Sequence, residues 1–141
     1  MMTSKYEHAE LLAALWKLGS DVERRMPTSH GYLDRALENC KGELPRQLKD
    51  YLTFGVTAVG LRCFELPEIL LAAQEAMLTS EPNPTYLSTI VTLNVDAARQ
   101  IVLALGISTR TAREIGQTLH TAVQRVVSEH ASAEADRPIA A

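Results

Sequence analysis

The sequence predicts an all-α protein folded as a compact bundle of five or six helices. Apolar residues recur at helical spacing through almost the whole chain. No stretch shows four or more clean alternations of apolar and polar residues, which is the pattern of a half-buried strand. A chain of 141 residues is long enough for one hydrophobic core and too short for two. We therefore predict one helical domain over residues 1–130 and a flexible tail over residues 131–141.

The predicted helix boundaries follow from capping and breaking residues. Ser4 and Glu7 form a capping box at the start of the first helix, and Pro27 ends that helix. Gly55 and Gly60 fall inside the third predicted helix, where glycines usually mark the close crossing of another helix. The predicted helices cover about residues 4–26, 29–41, 45–64, 67–80, 84–105 and 108–130.

The last two predicted helices have the clearest start and stop signals. Asn83 is a typical N-cap with Pro84 at the first helical position, and Gly106 ends the long helix that follows. Ser108 then caps the final helix. One apolar face of that helix is expected to consist of Ala112, Ile115, Leu119, Val123 and Val126.

The composition is that of an ordinary globular protein, with 46% hydrophobic and 22% charged residues. The net charge of −3 means that any nucleic-acid contact must come from a local basic patch. The longest uncharged run, residues 82–95, is too short and too polar to cross a bilayer, and the N-terminus lacks the apolar stretch of a signal peptide. We therefore expect a cytoplasmic protein in which Cys40 and Cys63 are reduced packing residues.

No catalytic or metal-binding pattern is present in the sequence. The four histidines, His8, His30, His120 and His130, are scattered and are expected to face solvent or to cap helices. There is no glycine-rich phosphate loop and no nucleophile motif, and Trp16 is expected in the core. The sequence therefore predicts a protein that is not an enzyme and that binds no cofactor and no metal.

The segment from Leu105 to Ile115 resembles the turn and the recognition-helix start of helix-turn-helix DNA-binding proteins. In that family the second helix enters the major groove, so the resemblance would place Arg110, Arg113 and Gln117 at the DNA. The helix predicted before the turn is about three times longer than the first helix of that motif, and Val102 stands where a small residue is usual. A glycine stop followed by a serine cap is also what an ordinary antiparallel helix pair uses, so both interpretations stay open.

Basic side chains are concentrated over residues 24–49 and over residues 84–126. Long basic side chains of this kind suit phosphate contacts without base readout. An acidic stretch over residues 63–83 contrasts with them, so copies of the chain could stack head to tail. The residues predicted to contact nucleic acid are Arg35, Lys41, Arg46, Lys49, Arg110, Arg113 and Gln117.

The size, the helical pattern, the missing catalytic groups and the split charge are similar to the small-subunit family of CRISPR effector complexes. The resemblance implies a non-catalytic helical subunit of a multi-subunit ribonucleoprotein. Such a subunit would contact protein neighbours and the RNA or DNA backbone without reading sequence. The alternative hypothesis is a helix-turn-helix transcription regulator.

Overall fold

The computed structural model describes residues 5–80 and 87–135, and 61% of these residues are helical. Within these ranges the chain forms six α-helices and five short strands arranged in two small sheets. The prediction of a mainly helical fold is therefore confirmed, but the prediction of an all-α fold is wrong.

The elements follow one another in a mixed order along the chain. The α-helices are α1 (Lys5–Gly19), α2 (Tyr32–Asn39), α3 (Arg46–Lys49), α4 (Leu66–Glu75), α5 (Val95–Ala104) and α6 (Thr109–Ala135), and a 3-10 turn covers Lys41–Glu43. The strands are β1 (Arg25–Pro27), β2 (Phe54–Thr57), β3 (Gly60–Cys63), β4 (Thr79–Ser80) and β5 (Ser88–Val91). The strand order of the larger sheet is β1-β5-β4, with both pairs antiparallel, and β2 and β3 form an antiparallel hairpin.

Helix α1 is the centre of the helical core, because it packs against α4, α5 and α6. Its Leu11, Leu15 and Trp16 are all buried. At the crossing with α6, Gly19 lies so close to Gly116 that a Cβ atom on either glycine would overlap the backbone of the other helix. Glycine is therefore required at this crossing by direct contact between two backbones.

The close helix crossing expected at Gly55 and Gly60 is absent, because the segment predicted as a helix over residues 45–64 is mostly not helical. Helix α3 ends at Lys49, and the chain then forms the β2–β3 hairpin. Gly60 has a φ of 105°, a left-handed conformation that favours glycine at the hairpin turn. β-Branched residues such as Val56 fit a strand better than a helix, and the tertiary pairing follows that preference.

Two other predicted helices are shortened by the three-stranded sheet. The first helix ends at Gly19 and not at residue 26, since Arg25–Pro27 pair with β5 as strand β1. The fifth helix was predicted to start at Pro84, but Ser88–Val91 are strand β5 and α5 begins after Asn94, whose side chain accepts the Ala97 N–H at 2.8 Å. The predicted caps at Ser4, Asn83 and Pro84 lie outside the described residues.

Helix α6 confirms the prediction for residues 108–130, and it continues through residues 131–135 of the predicted tail. Residues 136–141 of that tail lie outside the description. Both cysteines are buried and free, as expected. None of the described helices is both long enough and apolar enough to cross a membrane.

The prediction for the histidines is wrong at two positions, because His8 and His120 are buried. The His8 ring stacks on Tyr51, and the His120 ring stacks on Trp16. Both histidines are therefore parts of the core.

Candidate nucleic-acid interface

The turn between α5 and α6 is fixed by backbone hydrogen bonds at its start and by a side-chain cap at its end. The Ile107 N–H donates to the Val102 carbonyl at 2.9 Å and the Gly106 N–H to the Leu103 carbonyl at 3.0 Å, which is a Schellman motif. Gly106 takes the left-handed conformation that this motif needs, with φ 77°. The Ser108 Oγ then accepts the Thr111 N–H at 3.1 Å, so the predicted cap is confirmed.

At this turn a short helix, α5, is followed by the solvent-exposed start of α6. Helix α5 contains ten residues, so the long helix expected before Gly106 is not present. Val102 is fully buried and Ala112 is fully buried, and these two side chains anchor the helices to the core on either side of the turn. The first two turns of α6 therefore present their outer face to solvent.

Three predicted site residues lie on this outer face. Arg110, Arg113 and Gln117 are all exposed. The Arg110 side chain is 91% exposed, and its Nε lies 3.4 Å from a carboxylate oxygen of Glu114. An ion pair this exposed is weak, so it does not prevent Arg110 from contacting a phosphate or a base.

Helix α3 is attached to the same turn by a side chain. The Gln47 Nε2 donates to the Leu105 carbonyl at 3.2 Å, which brings Arg46 and Lys49 to the end of the molecule where α6 starts. Lys49 is exposed, and Arg46 forms an exposed ion pair with Asp50 at 3.2 Å. We name the set of exposed cations on α3 and on the start of α6, namely Arg46, Lys49, Arg110 and Arg113, the cationic rim.

The other two predicted residues are engaged elsewhere. The Lys41 Nζ lies 5.2 Å from the centre of the Phe54 ring, so its charge faces the hairpin. Arg35 lies 3.9 Å from Glu129, near the C-terminal part of α6. Since Glu129 comes sixteen residues after Arg113, Arg35 lies roughly 24 Å along α6 from the nearest rim residue of that helix. The structure therefore separates Arg35 from the cationic rim.

A groove of about 490 Å³ runs between the 3-10 turn and α6, beside the rim. Gln117 and Arg125 line it together with the carboxylates of Glu43 and Glu114. These two acids disfavour a phosphate inside the groove, so an anion is better accommodated at the rim than in the groove.

The cysteines do not provide a nucleophile near this surface. Burial raises the pKa of the Cys40 thiol to about 11, and burial likewise raises the pKa of the Cys63 thiol to about 11. A thiol with such a pKa is protonated at neutral pH and is a poor nucleophile. Across residues 5–80 and 87–135, no group of three or more histidine, cysteine, aspartate or glutamate residues could hold a metal ion.

Sequence reasoning placed Trp16 in the core correctly but missed its partner, His120. The two rings stack with their centres 3.7 Å apart, and the His120 Nε2 lies 2.8 Å from the Trp16 carbonyl oxygen. Burial lowers the pKa of His120, and this outweighs the hydrogen bond to Trp16, which favours the charged ring. Helical spacing could have revealed that His120 is buried, because it comes four residues after Gly116 and eight after Ala112 on the buried side of α6.

Comparisons with protein-family models, with curated proteins and with solved structures found no match to this chain.

Proposed function

We propose that the protein is a non-catalytic nucleic-acid-binding protein that binds double-stranded DNA with the start of α6, in the manner of a helix-turn-helix protein. One observation carries the proposal: a ten-residue helix, a Schellman turn and a serine-capped helix expose Arg110, Arg113 and Gln117 together. This arrangement matches what a recognition helix needs, which is an exposed start and a buried opposite face.

The cationic rim suggests how the contacts would be divided. Arginine can form two hydrogen bonds to guanine and glutamine can form two to adenine, so Arg113 and Gln117 are suited to base edges. Arg46 and Lys49 project from α3, a separate short helix, and are suited to phosphates on the flanking backbone. The protein as a whole is acidic, so binding would depend on this local surface and would weaken as salt is added.

The test is a selection from random duplex DNA followed by measurements on single variants. An enriched sequence is expected. Arg113→Ala should weaken the binding free energy by about 1–3 kcal/mol through the loss of contacts to particular base pairs of that sequence. Lys49→Ala should weaken binding to all sequences alike and reduce the salt slope by about one. Arg24→Ala, which removes an exposed arginine outside the rim, is the matched control and should change neither quantity.

The second candidate function is that of a non-catalytic subunit in a larger nucleoprotein assembly, which contacts nucleic-acid backbone without reading sequence. The β2–β3 hairpin favours it, because Val56 is 85% exposed, Val59 is 72% exposed and Phe64, just after the hairpin, is 57% exposed. Exposed apolar side chains grouped in this way are typical of a protein-contact surface.

The same experiments separate the two candidates. Salt-dependent binding to RNA or DNA with no enriched sequence would favour the assembly subunit, and Arg46→Glu with Lys49→Glu should then weaken binding and reduce the salt slope by about two or more. Co-purification of a defined RNA with other subunits would support the same choice. If the protein binds neither duplex DNA nor RNA at low salt, both candidate functions are wrong.

A further inference from the structure

The β2–β3 hairpin has two outer edges, one along each strand. Inside the hairpin, the Phe64 N–H donates to the Thr53 carbonyl at 3.0 Å. Hydrogen-bonded pairs alternate along an antiparallel ladder, so Gly55 also directs its backbone N–H and C=O inward, toward β3. The backbone groups of Phe54 and Val56 therefore point outward, along the outer edge of β2.

The outer edge of β3 is covered by the rest of the molecule. By the same alternation, Leu61 and Cys63 direct their backbone groups outward from β3. The Leu61 carbonyl accepts a hydrogen bond from the Arg62 guanidinium at 2.8 Å, and the Cys63 N–H donates to the Asp34 carboxylate at 2.8 Å. Helix α2, which carries Asp34, packs against this strand. The helical core therefore lies on the β3 side of the hairpin.

The outer edge of β2 has no such cover. Within residues 5–80 and 87–135, no group forms a hydrogen bond with the outward backbone N–H and C=O groups of Phe54 and Val56. Natural sheets usually protect an edge strand with a charge, a proline or a bulge. Residues 53–61 contain no charged residue and no proline, and the register of β2 with β3 is unbroken. An edge of this kind is a template for another strand.

We propose that two copies of the protein form a symmetric dimer by pairing their β2 strands antiparallel. The two-fold axis would pass between the two copies of Gly55, so that Phe54 of each copy lies opposite Val56 of the other. The outward N–H and C=O groups of these residues would then form four hydrogen bonds. The edge is complementary to itself, because the same two residues supply the donors and the acceptors on both sides.

The side chains on both faces of β2 also fit this pairing. On one face, Val56, which is 85% exposed, would be covered by Phe54 of the second copy. On the other face, the Phe64 ring lies over Gly55, since a Cβ atom on this glycine would be 2.6 Å from the Phe64 Cζ. The two glycines would face each other about 4.5 Å apart at the axis, which brings the two Phe64 rings into contact. The dimer therefore covers apolar side chains that are exposed in the single chain.

The charge and the length of β2 set the strength of the contact. The facing strands are uncharged, so two copies meet there without like charges opposite each other. A strand of four residues covers less than the roughly 800 Å² per partner that a stable complex buries. We therefore expect a weak dimer, with a Kd between about 10 μM and 1 mM. The dimer assigns the hairpin to contact between copies, and it does not depend on nucleic-acid binding.

Sedimentation of the full-length protein without nucleic acid, from about 10 μM to 1 mM, tests the dimer. Val56→Lys should raise the Kd about tenfold or more, because it places a charge against Phe54 of the second copy at two symmetric positions. Val22→Lys is the matched control, since Val22 is a valine outside the hairpin that is 88% exposed. The control should leave the Kd unchanged.

The backbone hydrogen bonds are tested separately from the side chains. Val56→Pro removes an outward N–H and none of the hydrogen bonds inside the hairpin, and it should raise the Kd about tenfold or more. Amide hydrogen exchange in the unaltered protein makes the same test if this variant does not fold. As the concentration rises, exchange should slow more at Phe54 and Val56, whose N–H groups gain a partner, than at Gly55.

A protein that stays monomeric at about 1 mM would overturn the dimer. Equal effects of Val56→Lys and Val22→Lys would overturn its location at the hairpin. Exchange at Phe54 and Val56 that does not slow with concentration would overturn the pairing of β2 strands. Loss of nucleic-acid binding in variants of the cationic rim would change none of these results.

Discussion

The α1–α6 helix pair and the β2–β3 hairpin are held in place by different kinds of contact. Between the helices, two glycines let the backbones touch, and Leu15 and Leu119 are completely buried nearby. The β2–β3 hairpin has exposed side chains such as Val56. Hydrogen bonds from backbone N–H groups in and beside it to carboxylates hold it in place. The buried Asp34 accepts the Cys63 N–H at 2.8 Å, and Glu65 accepts the Thr53 N–H at 2.6 Å.

This difference separates two sources of stability in one small chain. The helix pair depends on shape, so it should respond strongly to any added atom and little to pH, except through His120. The hairpin depends on charge-assisted hydrogen bonds, so it should respond to the loss of one acceptor and to acid.

The largest effect is expected for Gly116→Ala at the helix crossing. The new Cβ would overlap the Leu15 carbonyl oxygen and the Gly19 backbone, so the helices must separate. We expect a loss of about 3 kcal/mol or more in the free energy of unfolding, at or above the upper end for overpacking. Urea denaturation would measure it. Gly42→Ala is the control, because no atom lies within 4 Å of its Cβ position and the expected change is within about 0.5 kcal/mol. A similar effect of the two variants would contradict the role given to the crossing.

A smaller effect is expected for Asp34→Ala, which removes the buried acceptor of the hairpin. The Cys63 N–H would then be buried without a partner, which should cost about 2–3 kcal/mol. Asp50→Ala, at an exposed ion pair, should cost at most about 1 kcal/mol. Amide hydrogen exchange at Cys63 should accelerate in Asp34→Ala while amides in α1 keep their relative protection. Uniform acceleration across both regions would show that the hairpin is not a separate unit of stability.

The sequence predicts the helix pair well because the apolar residues that form one face of a helix recur every three to four positions. Ala112, Ile115, Leu119, Val123 and Val126 were expected on one face of α6; four of them are buried and Ile115 is partly buried. The α5–α6 turn was also predictable, since Gly106 and Ser108 act through local backbone chemistry. The part of the candidate site that lies on α6 could therefore be found from the sequence.

The strands could not be found in the same way. A short apolar run such as Ile90 and Val91 fits either a helix or a strand, and the choice is decided by strand pairing, in which Arg25, more than sixty residues earlier, is one partner of Ile90. The link from Gln47 to Leu105 is equally distant in the chain. The grouping of Arg46 and Lys49 with the α6 arginines depends on that link, so the sequence offers no local signal for it.

The pH dependence of the helix pair is expected to come from His120. Because burial lowers its pKa, the folded protein resists protonation that the unfolded chain accepts. The resulting stability is fully present above the ordinary histidine pKa, near 6.5, and is lost as the pH falls toward the lower folded value. His120→Gln should flatten the decline in unfolding free energy below pH 6.5, by at most about 1.4 kcal/mol per pH unit. An unchanged slope in this variant, measured by urea denaturation at several pH values, would exclude His120 as its source.

The smallest effect is expected at the hairpin, in a more acidic range. Burial of the Glu65 carboxyl favours its neutral form, but hydrogen bonds from the Thr53 hydroxyl and backbone outweigh burial and lower its pKa. Its contribution to stability should therefore be present above the ordinary glutamate pKa, near 4.5, and be lost as the pH falls through the lower folded value.

Glu65→Gln should cost about 0.5–1 kcal/mol of unfolding free energy at pH 6, and this difference from the wild type should shrink in acid. Glu68→Gln is the control, since Glu68 is an exposed acid in the first turn of α4, the helix that begins just after Glu65. The two regions then lose stability in separate pH ranges, His120 below 6.5 and Glu65 below 4.5. A constant cost of Glu65→Gln from pH 6 to pH 3 would mean that the hairpin is held by shape, as the helix pair is, and the contrast between the two regions would disappear.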